Sequence, residues 1–297
     1  MSKLMLTLVF GLTLVCLAAP AQSNSAVTES TAEQPIAGPL EQRLQVIKAL
    51  RSNDGASLIE AVGGEPALRD FLSEGANETE ASLAAKLAER PGSQSEQDFV
   101  GLWTTLAGPD GVNKASATWY PRWQAQIPQA LAGAQMGLMA MGSSAAQSTS
   151  MSPLERAQLN ELQWALGGWL SRTDFADRKI FNQVLDLARQ WILASAKAHP
   201  SHLALVKPEK RLLLLDQAIA SGKQALSLYG LDINTALASV QIEQLELKDE
   251  RARIRTSFKL LNVPMVFEED LRWFDDKWRD VEEVDMLIGM SSQAASE

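Results

Sequence analysis

SVQIEQLELKDERARIRTSFKLLNVPMVFEEDLRWFDDKWRD, residues 239–280, is the stretch on which the fold turns. Within it Ala252, Ile254, Thr256, Phe258 and Leu260 alternate with Arg253, Arg255, Ser257 and Lys259, the period-two pattern of a half-buried strand. Val240 to Leu247 precedes it and Met265 to Phe274 follows it, across links at Lys248-Asp249-Glu250 and Leu261-Asn262-Val263-Pro264 short enough for antiparallel hairpins. The expected register sets Leu260 opposite Met265, Phe258 opposite Phe267 and Ile254 opposite Leu271 on an apolar face, with Arg255 opposite Asp270 on the other. Trp273, Asp275, Asp276 and Trp278 form an acidic turn edged by tryptophan, which opens a fourth strand through Val281. A ribbon with one apolar face is not stable alone and needs a helical cover. The predicted class is therefore α+β, mostly α: a body of antiparallel helices with a C-terminal three- to four-stranded antiparallel β-meander.

The cover is expected from the helices just upstream. Ser152-Pro153-Leu154-Glu155 is a capping box with proline at the first helical position. Behind it Leu159, Leu162, Leu166 and Trp169 form a stripe ending near Ser171. Asp174 is the expected cap of the next helix, whose face runs through Phe181, Val184, Leu185, Ala188, Trp191, Ile192 and Ser195. The short link between them predicts an antiparallel hairpin. Pro208 opens a long helix, Glu209 to Tyr229, whose start is apolar all round at Leu212 to Leu215. It is expected between hairpin and sheet, as the joint of the two layers. Gly230 ends it, and Asp232 caps a short helix over Ile233 to Ala238.

Residues 40–150 read as an N-terminal helical region. Leu40, Leu44, Ile47 and Leu50 are at helical spacing, and short helices are expected at Ala56 to Val62, Pro66 to Ser73 and Glu78 to Glu89, broken by Gly63-Gly64 and Gly75. Phe99, Leu102, Trp103 and Leu106 make the next stripe, ended by Pro109-Asp110-Gly111. Trp119, Tyr120, Arg122 and Trp123 form the densest aromatic cluster; such rings stack on sugars, or anchor packing with their polar tips outward. In Ile127 to Gly142, Gly133 and Gly137 are spaced for close helix approach, and Ser143 to Ser150 reads as a linker.

The ends carry the expectations about compartment. Met1 to Ala21 has Lys3, an apolar run from Leu4 to Ala19 and Ala19-Pro20-Ala21, the pattern of a secretory signal cleaved near Ala21. Cys16 is the single cysteine and lies in that run behind Val15, bulkier than a lipid-attachment site takes, so the mature chain is expected to lack thiols and disulfides. Residues 22–39 read as a disordered leader, 151–285 as hairpin, long helix and meander, and 286–297 as a flexible tail. These features predict an exported bacterial envelope protein, in the periplasm or secreted, with no transmembrane span in its mature form.

Net charge is −9, and about −10 without Lys3, which opposes nonspecific attraction to nucleic acid. The catalytic patterns sought are absent: no Gly-x-Ser-x-Gly, Ser-x-x-Lys, His-Glu-x-x-His, phosphate-binding glycine loop or dinucleotide fingerprint. His199 and His202, the two histidines, lack nearby ligand acids and suit a helix C-terminus. No cofactor, metal site or catalytic residue is predicted. The candidate binding residues are Trp119, Tyr120, Arg122 and Trp123, with Trp273 and Trp278. The expected function is non-enzymatic binding of another envelope protein or a cell-wall glycan. The alternative is a cell-wall hydrolase using the aromatic cluster and carboxylates such as Glu268 and Asp270.

Overall fold

The computed structural model describes residues 38–73, 94–147, 151–196, 205–274 and 277–281, together with 79, 203, 284 and 285. The expected signal, most of the expected leader, the helix expected over Glu78 to Glu89 apart from Thr79, His199, His202 and the expected tail lie outside the described residues. Eight helices and four strands follow in order among the described residues: α1 Pro39–Ser52, α2 Gly55–Ser73, α3 Gln94–Ala107, α4 Gly111–Gln147, α5 Pro153–Arg172, α6 Arg178–Ser195, α7 Pro208–Leu228, α8 Ile233–Ala238, then β1 Gln241–Lys248, β2 Arg251–Leu260, β3 Val263–Phe274 and β4 Lys277–Asp280. The class is α+β, mostly α, with a four-stranded antiparallel sheet in the order β1-β2-β3-β4.

The β2–β3 register differs from the expected one by two residues: Leu260 pairs with Val263, Phe258 with Met265, Ile254 with Glu269 and Arg255 with Glu268. A two-residue turn replaces the four-residue loop. Leu261 and Asn262 both adopt left-handed backbone, φ 52° and 66°, which matches the strand twist, and Pro264 lies inside β3 opposite Lys259. Leucine is an unusual occupant of that backbone region, but the Leu261 side chain packs against two core clusters. A shift of two leaves every side chain on its own face. Ile254, Met265 and Leu271 are accordingly buried, and Arg253 and Arg255 face outward to Asp270 and Glu268 at 2.8 and 2.7 Å. Glu269 falls on the inner face, where Arg43 of α1 meets it at 3.3 Å.

The cover of the sheet is not the long helix α7. It is α5 against β3, with α1 and α8 against β1 and β2. Ala145, Leu159, Leu162 and Leu166 close over Met265 and Phe267. Gln158 of α5, itself buried, accepts from the Val266 N–H at 2.6 Å. Gln42 of α1 makes two hydrogen bonds to the Trp278 backbone. Helix α7 packs instead on α2, α6 and α8, and Leu213 at its start is 61 % exposed, so that apolar start is not buried all round. Its contribution to the joint is Ile219, which meets Ala49, Leu50, Leu58, Leu231, Ile233 and Leu237 in a cluster that reaches Leu260.

The predicted helical hairpin is also replaced. Helix α4 runs unbroken for 37 residues and acts as a spine. Its last turns pack on α5 through Leu138 and Ala145, and its first turns pack on α6 through Ala115 and Trp119. Helices α5 and α6 therefore follow one another antiparallel along the spine instead of folding back on each other. Length explains the error: a short link fits a hairpin, but a helix of about 55 Å offers two successive helices a common partner. Pro121 and Pro128 lie within α4 at exposed positions, where water satisfies the freed carbonyls. The helix also includes Ser143 to Gln147, so the linker reading of that segment fails. A Cβ placed on Gly133 or Gly137 would meet nothing within 4 Å, so the close helix approach they suggest is not used among the described residues.

Local rules account for most helix ends. Ser152 and Glu155 form the reciprocal capping box. Asp232 caps α8 through the Thr235 N–H, and the hydrogen bond from the Thr235 hydroxyl holds its carboxyl below the usual pKa. The cap of α6 is Asp177, accepting from Lys179 and Ile180, while Asp174 accepts from the Ala176 N–H in the link. Pro39 is the first residue of α1 and is buried, so the leader reading ends before it. Helix α2 is kinked at Gly64, φ 79°, where the Gly63-Gly64 break was expected.

Candidate functional site

Each aromatic candidate has an internal partner. The Tyr120 hydroxyl donates to the Ala176 carbonyl at 2.5 Å and the Trp123 indole N–H to the Phe175 carbonyl at 2.9 Å. Both rings meet Phe181, Tyr120 edge-on at 5.4 Å and Trp123 stacked at 6.1 Å. These contacts fasten the α5–α6 link, residues 173–177, to the middle of the spine, so the polar tips point into the protein. Trp119 packs toward Trp103, Leu106 and Ala115. Arg122 lies 5.0 Å from the Trp119 ring centroid and reaches Asp98 at 3.5 Å. Phe175 stacks on Tyr229, whose phenol burial pushes to a raised pKa, with Asp177 and Asp174 adding to the shift.

Trp273 and Trp278 belong to a different part of the molecule. They meet edge-on at 5.5 Å across the β3–β4 hairpin, and Trp278 is buried with Ala252, Ile254 and Leu271. The carboxylates considered for catalysis stand on the outer face of the sheet. Asp270 pairs with Arg253, and Glu268 with Arg255, which also reaches Glu243 at 3.5 Å. Those ion pairs raise the pKa of both arginines, first through the hydrogen bonds they donate to Asp270 and Glu268. The structure thus gathers the first four candidates with Phe181, gathers the two tryptophans separately, and joins neither group to the Glu268 and Asp270 carboxylates.

A polar basin at the meeting of α1, α7 and α8 was not foreseen. Its volume is about 570 Å³, within the range of small-molecule sites, and Arg51, Asn53, Ala220, Lys223, Gln224, Ser227 and Asn234 line it. Lys223 is 5 % exposed and donates to the Leu50 carbonyl at 2.8 Å, at the C-terminus of α1. Arg51 donates to the Leu237 carbonyl at 2.6 Å, at the C-terminus of α8. Asn53 ends α1 in left-handed backbone, φ 60°, and its buried Oδ1 has no hydrogen-bond partner among the described residues. Burial lowers the Lys223 pKa from its ordinary 10.5.

The sequence holds a faint sign of this basin. Lys223 follows Ile219 by four residues on the inward face of α7, where an apolar residue is the rule. Spacing alone does not tell a buried lysine from one whose stem packs while its head reaches water. Among the described residues no group of three or more His, Cys, Asp or Glu side chains could hold a metal ion, and no helix is long and apolar enough to cross a membrane. Compared with protein-family models, with curated proteins and with solved structures, the chain finds no match.

Proposed function

We propose that the chain is a non-enzymatic binding protein of the bacterial envelope, and that it holds a small polar solute in the basin between α1, α7 and α8. The observation that carries this reading is the basin itself, in which amide, hydroxyl and cationic groups from three helices converge on one hollow. The aromatic and carboxylate candidates support it indirectly, since each already serves a packing contact, hydrogen bond or ion pair.

A thermal-shift series with neutral sugars, amino acids and sugar acids tests the reading. A ligand present at one hundred times its Kd stabilises the wild type by about 2.7 kcal/mol, and Ser227→Trp, which fills the mouth from an exposed position, abolishes the shift. A panel that leaves the wild type unmoved, or moves both proteins equally, overturns it. Localisation has its own test. The apolar run before Ala19-Pro20-Ala21 supports export, so protein recovered from the periplasmic fraction is expected to begin at Gln22. Recovery in the cytoplasm with Met1 intact contradicts it.

A further inference from the structure

Lys223 presents a problem of charge. A lysine that is 5 % exposed normally has a carboxylate beside its ammonium, because an isolated buried cation is costly. Among the described residues Lys223 has no such partner, and its one hydrogen bond goes to the Leu50 carbonyl. The two acids that flank the lining residues in sequence bond to other groups. Asp54 accepts from the Ser57 N–H and hydroxyl, and Asp232 from those of Thr235, each capping its own helix. Arg51, the second cation of the basin, likewise spends its donors on carbonyls, those of Leu237, Ala238 and Val240.

Both cations therefore sit at helix C-termini, α1 for Lys223 and α8 for Arg51. A helix C-terminus carries the equivalent of about half a negative charge, less for a helix as short as α8. Two such ends offset at most about one of the two positive charges, which leaves the basin with about one unit of positive charge in a chain whose net charge is −9. Around that charge stand Gln224, Ser227 and Asn234, groups that bond hydroxyls as readily as oxyanions. A hollow of about 570 Å³ is much larger than a bare phosphate requires.

We infer that the basin is an oxyanion site whose ligand is a small polyol carrying a carboxylate or phosphate, with the anionic group on Lys223 and the hydroxyls on Gln224, Ser227 and Asn234. Lysine suits this role as a compact charge with rotatable donors that accepts either oxyanion geometry. The inference rests on the binding reading above and deepens it by naming the ligand class.

Isothermal titration of the full chain with D-glucuronate, glucose 6-phosphate and neutral D-glucose tests it, and the two acids distinguish carboxylate from phosphate as the source. At least one acid is expected to bind the wild type tenfold or more tightly than glucose. Lys223→Met keeps the length of the side chain, removes its charge, and is expected to weaken the acid tenfold or more, and by a larger factor than it weakens glucose. Gln224→Glu, at an exposed position on the rim, weakens the acid by a similar factor through repulsion and stands in if the buried substitution does not fold. Equal affinity for glucose and both acids overturns the oxyanion inference and leaves the binding reading in place. Absence of binding for all three overturns the oxyanion inference, and the broader thermal-shift panel then decides the binding reading alone. Undiminished acid binding in both variants also overturns the inference.

Discussion

Trp103→Ala is expected to lower the free energy of unfolding by about 3–5 kcal/mol, read as a fall in the urea midpoint. Trp103 is 2 % exposed and meets Trp191 edge-on at 5.6 Å and Phe99 at 6.0 Å. It packs with Leu106, Ala115, Leu185 and Ile192, so its removal opens a cavity bounded by α3, α4 and α6 at once. Rigid helices on all three sides limit collapse into that space, which places the cost in the upper part of the large-to-small range. Trp103→Phe fills more of the cavity and is expected to recover a substantial part of the loss. A midpoint unchanged by the alanine substitution contradicts the packing described for these helices.

The sheet gives the second large effect together with its control. Ile254 is fully buried beside Ala252, Leu271 and Trp278, and Ile254→Ala is expected to lower stability by about 2–5 kcal/mol. Arg253, its neighbour in β2, faces solvent and pairs with Asp270, and Arg253→Ala is expected to leave the urea midpoint essentially unmoved. Side chains one residue apart on a strand point to opposite faces, so the pair of variants reads out which face of β2 is covered. Equal losses from both substitutions would contradict the single-faced cover of the sheet.

The elements themselves were legible because their signals are local. Alternation in β2, the box at Ser152 and Glu155, and the cap at Asp232 each depend on residues within a turn or two, and each stands where the sequence sets it. What misled the reading were choices between partners. Leu261-Asn262 and Leu261-Asn262-Val263-Pro264 are both possible hairpin links, and only the packing of Leu261 into the core separates them. The stripe Leu159, Leu162 and Leu166 announces an apolar face but does not say that it belongs to β3 and α4. Helix length was underestimated because Ser143 to Ser150 is polar and reads as a linker, whereas α4 carries its helix through Gln147 and holds Pro121 and Pro128 at exposed positions. At the candidate site the aromatic cluster was visible, but its fastening role depends on carbonyls of Phe175 and Ala176 that lie more than 50 residues away. The basin was missed for a related reason. Its lining comes from residues 51–53, 220–227 and 234, which no sequence window spans.

Gln42 and Trp278 are 236 residues apart, and their two hydrogen bonds tie the first described helix to the last strand. Closing a loop of that length costs about 5 kcal/mol of chain entropy before any contact compensates for it. On a chain emerging from the ribosome α1 is made long before the strand it clasps, so these two hydrogen bonds form only once β4 has been added. Removing β4 leaves α1 its contacts with α2, α8, β1 and β2 but takes away the backbone that Gln42 clasps.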